Sequence, residues 1–438
     1  MRRRHFVRAL ALPAFLPFAA HAGALDAEEL GLRPDGAGDQ SLALQTALRR
    51  AARTGRPLFL PGGTYRVSNI ELPHRVAIEG AGARLRYNGG GTFLVGRGCE
   101  RLRMGGLELD AGHGKVQDPR SGALDLADCA DIVLRDCRFR NTANTGLRLE
   151  RCGGHVTQCL FENTDGLAAI FSLDAMGLHV SDNRVRGAAD GGILVYRSTS
   201  GPDGTVVARN RLEDIGAASG GTGPYGNAIN VVRAHGVRIE GNHVSRAAFS
   251  AVRCHSASNA AITGNTALEC GETAIYSEFA FEGAAIVGNV VDGAAIGISM
   301  ANFDHGGRLA VCANNLVRNL RDGGPYPAQT AGFGHGIYAE ADTAVSGNVV
   351  DEAARWGIAL GWGPYLRNVA VTGNVVRAAG TGLVASVVEG AGSALVADNV
   401  LQGRHGSIVG HAWLEPRTGD LLGRADVPAN LALAGNRR

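Results

Sequence analysis

The chain has 438 residues, of which 64 are Gly and 45% are apolar, so it is long and apolar enough to form a folded core. Its formal charge is +2 and no basic stripe runs along it, so we expect no nucleic-acid partner. The sequence has no run of about 18 or more apolar residues, so we predict neither a transmembrane helix nor a stable membrane anchor.

Residues 1–22 have the features of an export signal. Four arginines among residues 2–8 precede a short apolar stretch, and the sequence AHA at residues 20–22 fits a cleavage site. The segment RRHFVR at residues 3–8 resembles the twin-arginine signal, although Arg2 stands where Ser or Thr is usual. We therefore expect export by the twin-arginine translocase to the periplasm or the medium, with an ordinary Sec signal as the alternative.

One amphipathic helix is predicted near the start of the chain, from Ser41 to Thr54, and Gly55 and Pro57 end it. Its apolar face is formed by Leu44, Leu48, Ala51 and Ala52. Repeats follow in the chain, and a stack of repeats needs its open end covered. We therefore predict that residues 23–75 form an N-terminal cap built around this helix.

Two short patterns recur through the rest of the chain. In the first, alternating apolar residues lead to a small residue, an Asn and two mostly apolar residues, as in VRIEGNHV and VAVTGNVV. The second, small-Ile-x-Val-x, follows each Asn by about eight to twelve residues, as in AINVV and AIYSE. The asparagines are spaced 23 to 33 residues apart, at Asn183, Asn210, Asn242, Asn265, Asn289, Asn315, Asn348, Asn374 and Asn399.

These patterns predict short strands with one buried face. A unit of about 25 residues cannot enclose a core by itself, so it must stack on the next copy. The sequence therefore predicts an all-β chain, a parallel β-helix of about twelve coils over residues 76–411. Residues 412–438 lose the pattern and are predicted to form a C-terminal cap or tail.

The residues at the bends of the coils predict how the coils are joined. Asn bonds backbone groups in turns and tolerates left-handed backbone, and stacked coils would align the amides in a hydrogen-bonded ladder. Cys129 and Cys152 are 23 residues apart, and Cys137 and Cys159 are 22 apart, so each pair falls at one place in neighbouring coils. We predict that the eight cysteines are free, buried packing residues, with disulfides as the alternative.

The front of the chain resembles a known group of proteins. Residues 39–48 read D-x-x-x-x-L-Q-x-A-L, and residues 57–67 read PLFLPGGTYRV, which is similar to the opening of pectate-lyase-like right-handed β-helix proteins. With the twin-arginine-like signal and the G-N-V-V repeats, essentially the whole chain resembles the twin-arginine-translocated repeat-containing family. This resemblance implies a single-stranded, right-handed parallel β-helix of the pectin-lyase type, and it implies no activity.

Aligning the small-Ile-x-Val-x strands gives two rows of outward side chains, in which polar and aromatic residues concentrate in the middle coils. The residues predicted to carry chemistry lie in two neighbouring coils: Arg253, His255, Tyr276 and Glu278. Those predicted to bind substrate are Tyr196, Asn230, Arg233, Asn302, Asp304, Tyr338 and Glu340, together with the loop residues Tyr225 and Tyr326.

Three insertions border the same coils, at residues 198–205, 216–226 and 320–335. The triplet Gly-Pro-Tyr occurs in the last two insertions and again at residues 363–365. Loops on one face of a solenoid are often functional. We predict that these loops wall a groove, in which Tyr225 and Tyr326 stack on sugar rings.

The predicted groove suits an anionic polysaccharide. In a lyase or epimerase reaction, Arg253 would neutralise the substrate carboxylate while His255, oriented by Glu278, or Tyr276 moves the proton. A hydrolase would instead pair Glu278 with Glu340 or with Asp304.

We therefore expect an exported protein that binds and processes a carbohydrate, with an acidic polysaccharide as one substrate class. A non-catalytic glycan-binding or scaffold protein of the cell envelope is the alternative. We expect no metal and no cofactor, because no acidic triplet stands in the rows and the cysteines are predicted to be buried. Next to the predicted site, Phe279 and Phe281 are expected to fill a bend, and Glu282 to pair with Arg253 or Arg308.

Overall fold

The structure, a computed structural model, describes residues 23–220, 223–327 and 332–438. The predicted export signal at residues 1–22 lies outside the described residues. Within them the chain forms stacked parallel coils whose strands make two sheets, with one α-helix, Ser41–Thr54, near the start. Short 3-10 helices occupy Glu28–Leu30 and Phe303–His305. In this part of the chain no helix has both the length and the apolar composition of a membrane span.

The first sheet has fifteen strands among the described residues, and we call it the site sheet. Its strands are paired in parallel except the last, which is antiparallel to its neighbour. The fourteen parallel strands mark fourteen coils, somewhat more than the dozen predicted, because the first coils precede the Asn pattern. The strands are Ile70–Leu72, Leu94–Arg97, Gly122–Ala127, Thr145–Glu150, Ile170–Leu173, Gly191–Pro202, Asn227–His235, Val252–His255, Thr273–Glu278, Ile296–Met300, His335–Ala339, Trp356–Leu360, Thr381–Ser386, Ile408–Ala412 and Glu415–Asp420.

The second sheet, the long sheet, has 28 strands within the described residues and contributes up to two strands to each coil. Most coils place one strand on each side of the bend that carries the recurring Asn. The strands are Leu25–Asp26, Leu58–Leu60, Gly63–Val67, Arg75–Tyr87, Arg101–Asp110, Ile132–Arg135, Arg138–Thr142, Gly154–Thr157, Leu160–Thr164, His179–Ser181, Arg184–Ala188, Val206–Ala208, Arg211–Ile215, Arg238–Glu240, His243–Ala247, Ala260–Thr263, Thr266–Leu268, Glu282–Val287, Val290–Ala294, Arg308–Ala313, Leu316–Leu320, Thr343–Ser346, Val349–Ala353, Val369–Thr372, Val375–Ala378, Ala394–Ala397, Val400–Gly403 and Leu431–Ala434.

The core of the stack is built from inward rows in strict register. On the site sheet, one such row holds an aliphatic residue in every coil, and each member is almost fully buried. Burial of each such side chain stabilises the fold by about 1.5–3 kcal/mol. The row runs Ile70, Leu94, Leu124, Leu147, Ile170, Ile193, Ile229, Val252, Ile275, Ile298, Ile337, Ile358, Leu383 and Ile408.

The predicted Asn ladder is confirmed. In a typical rung, the backbone N–H and the Nδ2 of Asn242 both donate to Oδ1 of Asn265, at 2.9 and 3.0 Å, and Nδ2 of Asn265 also donates to the carbonyl of Ile239. The ladder starts at Asn183 and extends one coil beyond the predicted series, to Asn436. The asparagines are fully bonded and buried, so their role is structural.

The left-handed backbone at these bends falls one residue earlier than predicted. The Asn itself has ordinary backbone, whereas the preceding residue has a positive φ, for example 63° at Gly241 and 64° at Gly264. This conformation favours Gly, Asn and Asp, which explains why the recurring dipeptide is so often Gly-Asn.

All eight cysteines are buried and free, as predicted. Cys137 and Cys159 stand where later coils carry Asn. The ladder begins next to Cys159, whose N–H donates to Oδ1 of Asn183. Burial raises the pKa of the Cys254 and Cys312 thiols to about 12, so these groups stay protonated and act as small apolar residues.

The predicted helix Ser41–Thr54 is confirmed and packs Leu44, Ala47, Leu48 and Ala51 onto the first coils. Gly55 ends it with a φ of 68°. Parallel pairing extends beyond the predicted repeat range of 76–411 at both ends, because Leu58–Leu60 and Leu431–Ala434 already belong to the long sheet.

Candidate functional site

The register of the site sheet confirms how the sequence aligns the outward rows. Asn230 pairs with Arg253, and Arg253 with Tyr276. In the next row His255 pairs with Glu278. The predicted residues therefore do stand beside one another, and their contacts decide what each of them can do.

Arg253 and Glu278 form an ion pair, with Nε of Arg253 2.5 Å from Oε1 of Glu278. Their side chains are only 11% and 5% exposed. Burial raises the pKa of the Glu278 carboxyl, and Arg253 opposes that shift. Glu278 already matches the charge of Arg253, so this pairing does not favour the predicted use of Arg253 to neutralise a substrate carboxylate, which stays a prediction.

His255 stacks on the ring of Phe279, with centroids 4.4 Å apart. Its Nδ1 has no hydrogen-bond partner among the described residues. Burial, and then the Arg253 charge, lower the pKa of its imidazole. Glu278 bonds Arg253 and not His255 among the described residues, so the predicted orientation of His255 by Glu278 stays a prediction without a contact to support it. Phe281 is buried and fills the bend as predicted, whereas Phe279 is only half-buried. Of the two arginines predicted as partners of Glu282, Arg308 is the one that bonds it.

Three predicted binding residues hold loops instead of lining a cavity. Nδ2 of Asn230 donates to the hydroxyl of Tyr196 at 3.0 Å and to the carbonyl of Gly223 at 3.3 Å. Arg233 donates to the carbonyl of Ser198 at 3.1 Å. Burial raises the pKa of Tyr196 to about 12. Tyr225, in the same region, does not line the cavity described next.

A cavity of about 470 Å³ lies farther along the site sheet, over the strands Thr273–Glu278, Ile296–Met300 and His335–Ala339, and we call it the site cavity. It brings together six of the thirteen predicted site residues: Tyr276, Asn302, Asp304, Tyr326, Tyr338 and Glu340. Arg253, His255 and Glu278 do not line it. The chemistry of the site is therefore shifted toward the C-terminus from the predicted centre.

Glu340 is the most perturbed carboxyl of the site cavity. Its Oε1 accepts from the Tyr338 hydroxyl at 2.9 Å, and its Oε2 accepts from the Phe303 N–H at 2.6 Å. The residue is 6% exposed. Burial raises its pKa to about 7, the hydrogen bonds oppose the shift, and the nearby Asp304 charge adds to it. Glu340 can therefore hold a proton near neutral pH.

Asp304 lies in the 3-10 turn Phe303–His305, which the left-handed Asn302 introduces with a φ of 70°. Oδ1 of Asn302 accepts from the Phe279 N–H at 3.1 Å, so this side chain fixes the bend. Asp304 is partly exposed and its Oδ2 is 3.0 Å from Nδ1 of His305. It is thus a solvent-accessible carboxyl group near the buried carboxyl group of Glu340.

A third carboxyl, Glu272, lines the same cavity. Burial raises its pKa, and the hydroxyl of Tyr326 donates to its Oε1. Tyr326 also packs against Phe333, with centroids 5.6 Å apart. These contacts fasten the described part of the 320–335 insertion over the cavity, as predicted for a wall.

Aromatic and small apolar side chains form the rest of the lining. Outside the core, a separate apolar cluster covers the outward face of the site sheet and consists of Ala301, Tyr338, Trp356, Ala359 and Val384. His335 stacks between Tyr338 and Trp356 in this cluster. Trp362, Tyr365 and Trp413 complete the wall at the C-terminal end.

The lining includes no Lys or Arg among the described residues, and it has three carboxyl groups. No three His, Cys, Asp or Glu side chains of the described ranges are grouped as metal ligands. The arrangement can donate and accept protons and can present flat apolar rings to a ligand.

Several lining residues were missed by the two-row alignment. Thr273, Ile296 and His335 occupy a third outward row, two positions before the inward Ile of each strand. Strict strand alternation would turn these positions inward with the Ile, so the sequence pattern does not reveal them. Trp413 comes from the predicted C-terminal cap, and no sequence pattern brings it to this cavity.

Comparison with known proteins identifies the fold. The family "Right handed beta helix region" matches residues 168–319, and "Rhamnogalacturonase A/epimerase, pectate lyase-like" matches residues 25–98. The chain is therefore a pectate-lyase-like right-handed parallel β-helix, as predicted. No protein of curated description matches its sequence significantly.

Solved structures share this fold at low sequence identity. The A-module of mannuronan C-5 epimerase AlgE6 from Azotobacter vinelandii is 16% identical, with a TM-score of 0.55 over 94% of this chain and 98% of that module. The catalytic unit of the GH87 α-1,3-glucanase of Streptomyces thermodiastaticus is 14% identical, with a TM-score of 0.50 over 95% and 69%. A tailspike protein of E. coli bacteriophage HK620 is 10% identical, with a TM-score of 0.55 over 94% and 78%.

Proposed function

We propose that this protein binds a carbohydrate in the site cavity and hydrolyses it, with Glu340 as the general acid. One observation carries the proposal: a carboxyl with a pKa of about 7 lines a cavity that also holds a second carboxylate and several aromatic rings. Glycoside hydrolysis needs a carboxylic acid that keeps its proton near neutral pH and a second carboxylate that is ionised.

In this mechanism Glu340 gives its proton to the glycosidic oxygen as the bond to the sugar breaks. Asp304 acts as the second carboxylate, either activating water or attacking the sugar. The Tyr338 hydroxyl and the Phe303 N–H then stabilise the carboxylate that Glu340 becomes, because both donate to its oxygens. Asp304 with Glu340 replaces the predicted pairs, which both require Glu278.

The charges of the lining favour a neutral sugar. The lining offers a uronate no cation among the described residues, its carboxyl groups repel a uronate whenever they are ionised, and the nearby Arg253 is matched by Glu278. A lyase or epimerase needs a cation at the substrate carboxylate, and the described lining supplies none. An acidic polysaccharide therefore has less support than a neutral one.

The matched family descriptions and two neighbours of similar fold are consistent with this proposal. Their names describe a rhamnogalacturonase or epimerase, a mannuronan epimerase and an α-1,3-glucanase, all of which act on polysaccharides. These proteins differ in substrate and chemistry, so the proposal of hydrolysis over a lyase or epimerase reaction rests on the residues of the site cavity.

A polysaccharide panel tests the proposal. The protein is incubated with neutral and uronic polysaccharides, and both new reducing ends and unsaturated products are measured. We expect new reducing ends from a neutral polymer, and we expect Glu340→Gln to lower the rate by about 100-fold or more. Glu282→Gln, an exposed residue of a neighbouring coil, is the matched control.

Three outcomes contradict the proposal in different ways. Unsaturated products from a uronic polymer would favour the lyase reaction. Binding without any product would favour the non-catalytic glycan-binding protein. No binding and no product on any polymer would remove the carbohydrate function itself.

We also propose that the protein is exported by the twin-arginine translocase, because RRHFVR stands before an apolar stretch and the sequence AHA. Replacing Arg3 and Arg4 with Lys should keep the full-length protein in the cytoplasmic fraction. Unchanged export of this variant, but a block when the Sec pathway is inhibited, would support the Sec alternative.

A further inference from the structure

The C-terminal cap does more than cover the end of the stack. Its antiparallel hairpin joins Ile408–Ala412 to Glu415–Asp420, and Trp413 lies on the turn between them. Trp413 is 46% exposed and has a left-handed φ of 58°, which is unusual for a bulky residue. The turn directs this large ring into the site cavity, where it forms part of the lining.

Trp413 is held in place by a second rigid turn. Its ring packs edge-on against Trp362, with centroids 5.2 Å apart and planes at 75°. Trp362 begins a turn closed by the Tyr365 N–H, which donates to the Trp362 carbonyl at 3.1 Å. At Gly363, within that turn, a Cβ would lie 2.2 Å from Cη2 of Trp413, so only Gly leaves room for the indole.

Trp362 lies one coil beyond Glu340 along the stack, and Trp413 comes from a coil farther toward the C-terminus. Glu340 follows the strand His335–Ala339, Trp362 follows the next strand, and Trp413 follows the strand three coils later. At the spacing of adjacent strands, the coils of Glu340 and Trp413 are roughly 14 Å apart. The aromatic wall therefore extends from the coil next to Glu340 toward the C-terminal end of the stack.

Exposed aromatic rings on rigid turns inside a cavity fit the apolar face of a pyranose. Tryptophan offers a large flat surface with little conformational entropy to lose. Because the rings are fixed by Gly363 and by each other, a ligand need not order them. No charged group of the described lining lies on the turns that carry Trp362, Tyr365 and Trp413.

We propose that Trp362, Tyr365 and Trp413 form a sugar-binding subsite beyond Glu340, so that the protein binds a longer chain of neutral sugars more tightly than a mono- or disaccharide. This inference rests on the proposed function, since it assumes that the site cavity holds carbohydrate. The substrate class would be an extended neutral glycan, and Trp413 of the C-terminal cap would bind it.

The test measures binding of oligosaccharides of two lengths. Disaccharide and hexasaccharide are prepared from the polymer that the panel identifies, and each is titrated against Glu340→Gln by calorimetry and by tryptophan fluorescence. We expect Trp413→Ala or Trp362→Ala, added to this variant, to weaken hexasaccharide binding about tenfold and to leave disaccharide binding unchanged. Leu414→Ala, an exposed residue of the same turn, is the matched control.

The results separate this inference from the function. Equal hexasaccharide affinities with and without Trp413 and Trp362 would overturn the subsite while hydrolysis by Glu340 stands. Equal losses for both lengths would also overturn it, because the rings would then not form a separate subsite. Trp413→Phe should restore part of the hexasaccharide affinity, which loss of folding would not allow. Failure of every polymer in the panel would remove the proposed function and this inference together.

Discussion

Glu340 shows how one buried carboxyl can be tuned by its neighbours. Its pKa rises from the usual 4.5 to about 7, chiefly because burial penalises the charged form. Two hydrogen bonds oppose that shift and keep the carboxyl oriented. Such a group makes the fold less stable whenever it is ionised, which is a common cost of a catalytic site.

The cost should be visible as a dependence of stability on pH. The folded chain holds the Glu340 proton between about pH 4.5 and 7 while the unfolded chain releases it, so the free energy of unfolding falls across this range. The full effect is about 3 kcal/mol. We expect Glu340→Gln to raise the unfolding free energy near pH 8 and to leave it nearly unchanged near pH 4.

Urea denaturation of the protein and of Glu340→Gln at the two pH values checks this prediction, with Glu282→Gln as the control. An equal difference between protein and variant at both pH values would show that Glu340 does not carry the shifted pKa.

Asn265 illustrates the second role of single residues, that of joining coils. Replacing it with Ala leaves the N–H and the Nδ2 of Asn242 without their acceptor and removes the donor to the Ile239 carbonyl. Each orphaned buried group costs about 1–3 kcal/mol, so we expect a loss of roughly 3 kcal/mol or more.

Thermal and urea unfolding of Asn265→Ala against Thr266→Ala, its outward-facing neighbour, measures this loss. Similar stability of the two variants would mean that the ladder contributes little beyond ordinary strand packing.

At the scale of elements, the ion pair between neighbouring strands has a structural role. Arg253 and Glu278 stand directly beside each other in adjacent coils and are both nearly buried. Removing one member of such a pair leaves an uncompensated buried charge, which costs about 3–5 kcal/mol, whereas replacing both is far less harmful. We predict that Arg253→Met is strongly destabilising and that Arg253→Met with Glu278→Gln recovers much of the loss.

A double-mutant cycle on the free energy of unfolding tests the pair. Additive losses of unfolding free energy from the two single changes would contradict the ion pair. Arg253 would then be available to bind a ligand.

The elements also show how far the sequence alone could go. The repeat spacing predicts the strands, the Asn ladder and the register that places Arg253 beside Tyr276, and the apolar face with Gly55 predicts the helix Ser41–Thr54, because all of these follow from local pattern. The sequence cannot predict that Arg253 and Glu278 neutralise each other, because the aligned rows give the order of the residues and not the conformations of their long side chains. The third outward row, which includes His335, could not be predicted either, because strand alternation assigns its positions to the inward face with the Ile.

At the scale of the whole molecule, the regular spacing of the coils sets the distances between the residues that line the site cavity. Glu272, Glu340 and Trp413 lie beside the strands Thr273–Glu278, His335–Ala339 and Ile408–Ala412, so the cavity lining comes from several coils along the stack. The contribution of the C-terminal hairpin could not be predicted, because it depends on how the last strand folds back across the sheet. The site is therefore a property of the fold's C-terminal third and not of a single motif.

Filling the site cavity with a bulky side chain tests most directly whether carbohydrate binds there. Ser299 is outward, lines the cavity and lies between Tyr276 and Tyr338 in the register, so Ser299→Trp should fill the floor without touching the core. The measurement is binding to an array of immobilised neutral and uronic polysaccharides, beside Thr266→Trp on the opposite sheet as the control. We predict that a neutral polysaccharide binds the protein and the control but not Ser299→Trp. Equal binding by all three proteins would place the carbohydrate site elsewhere and contradict the account.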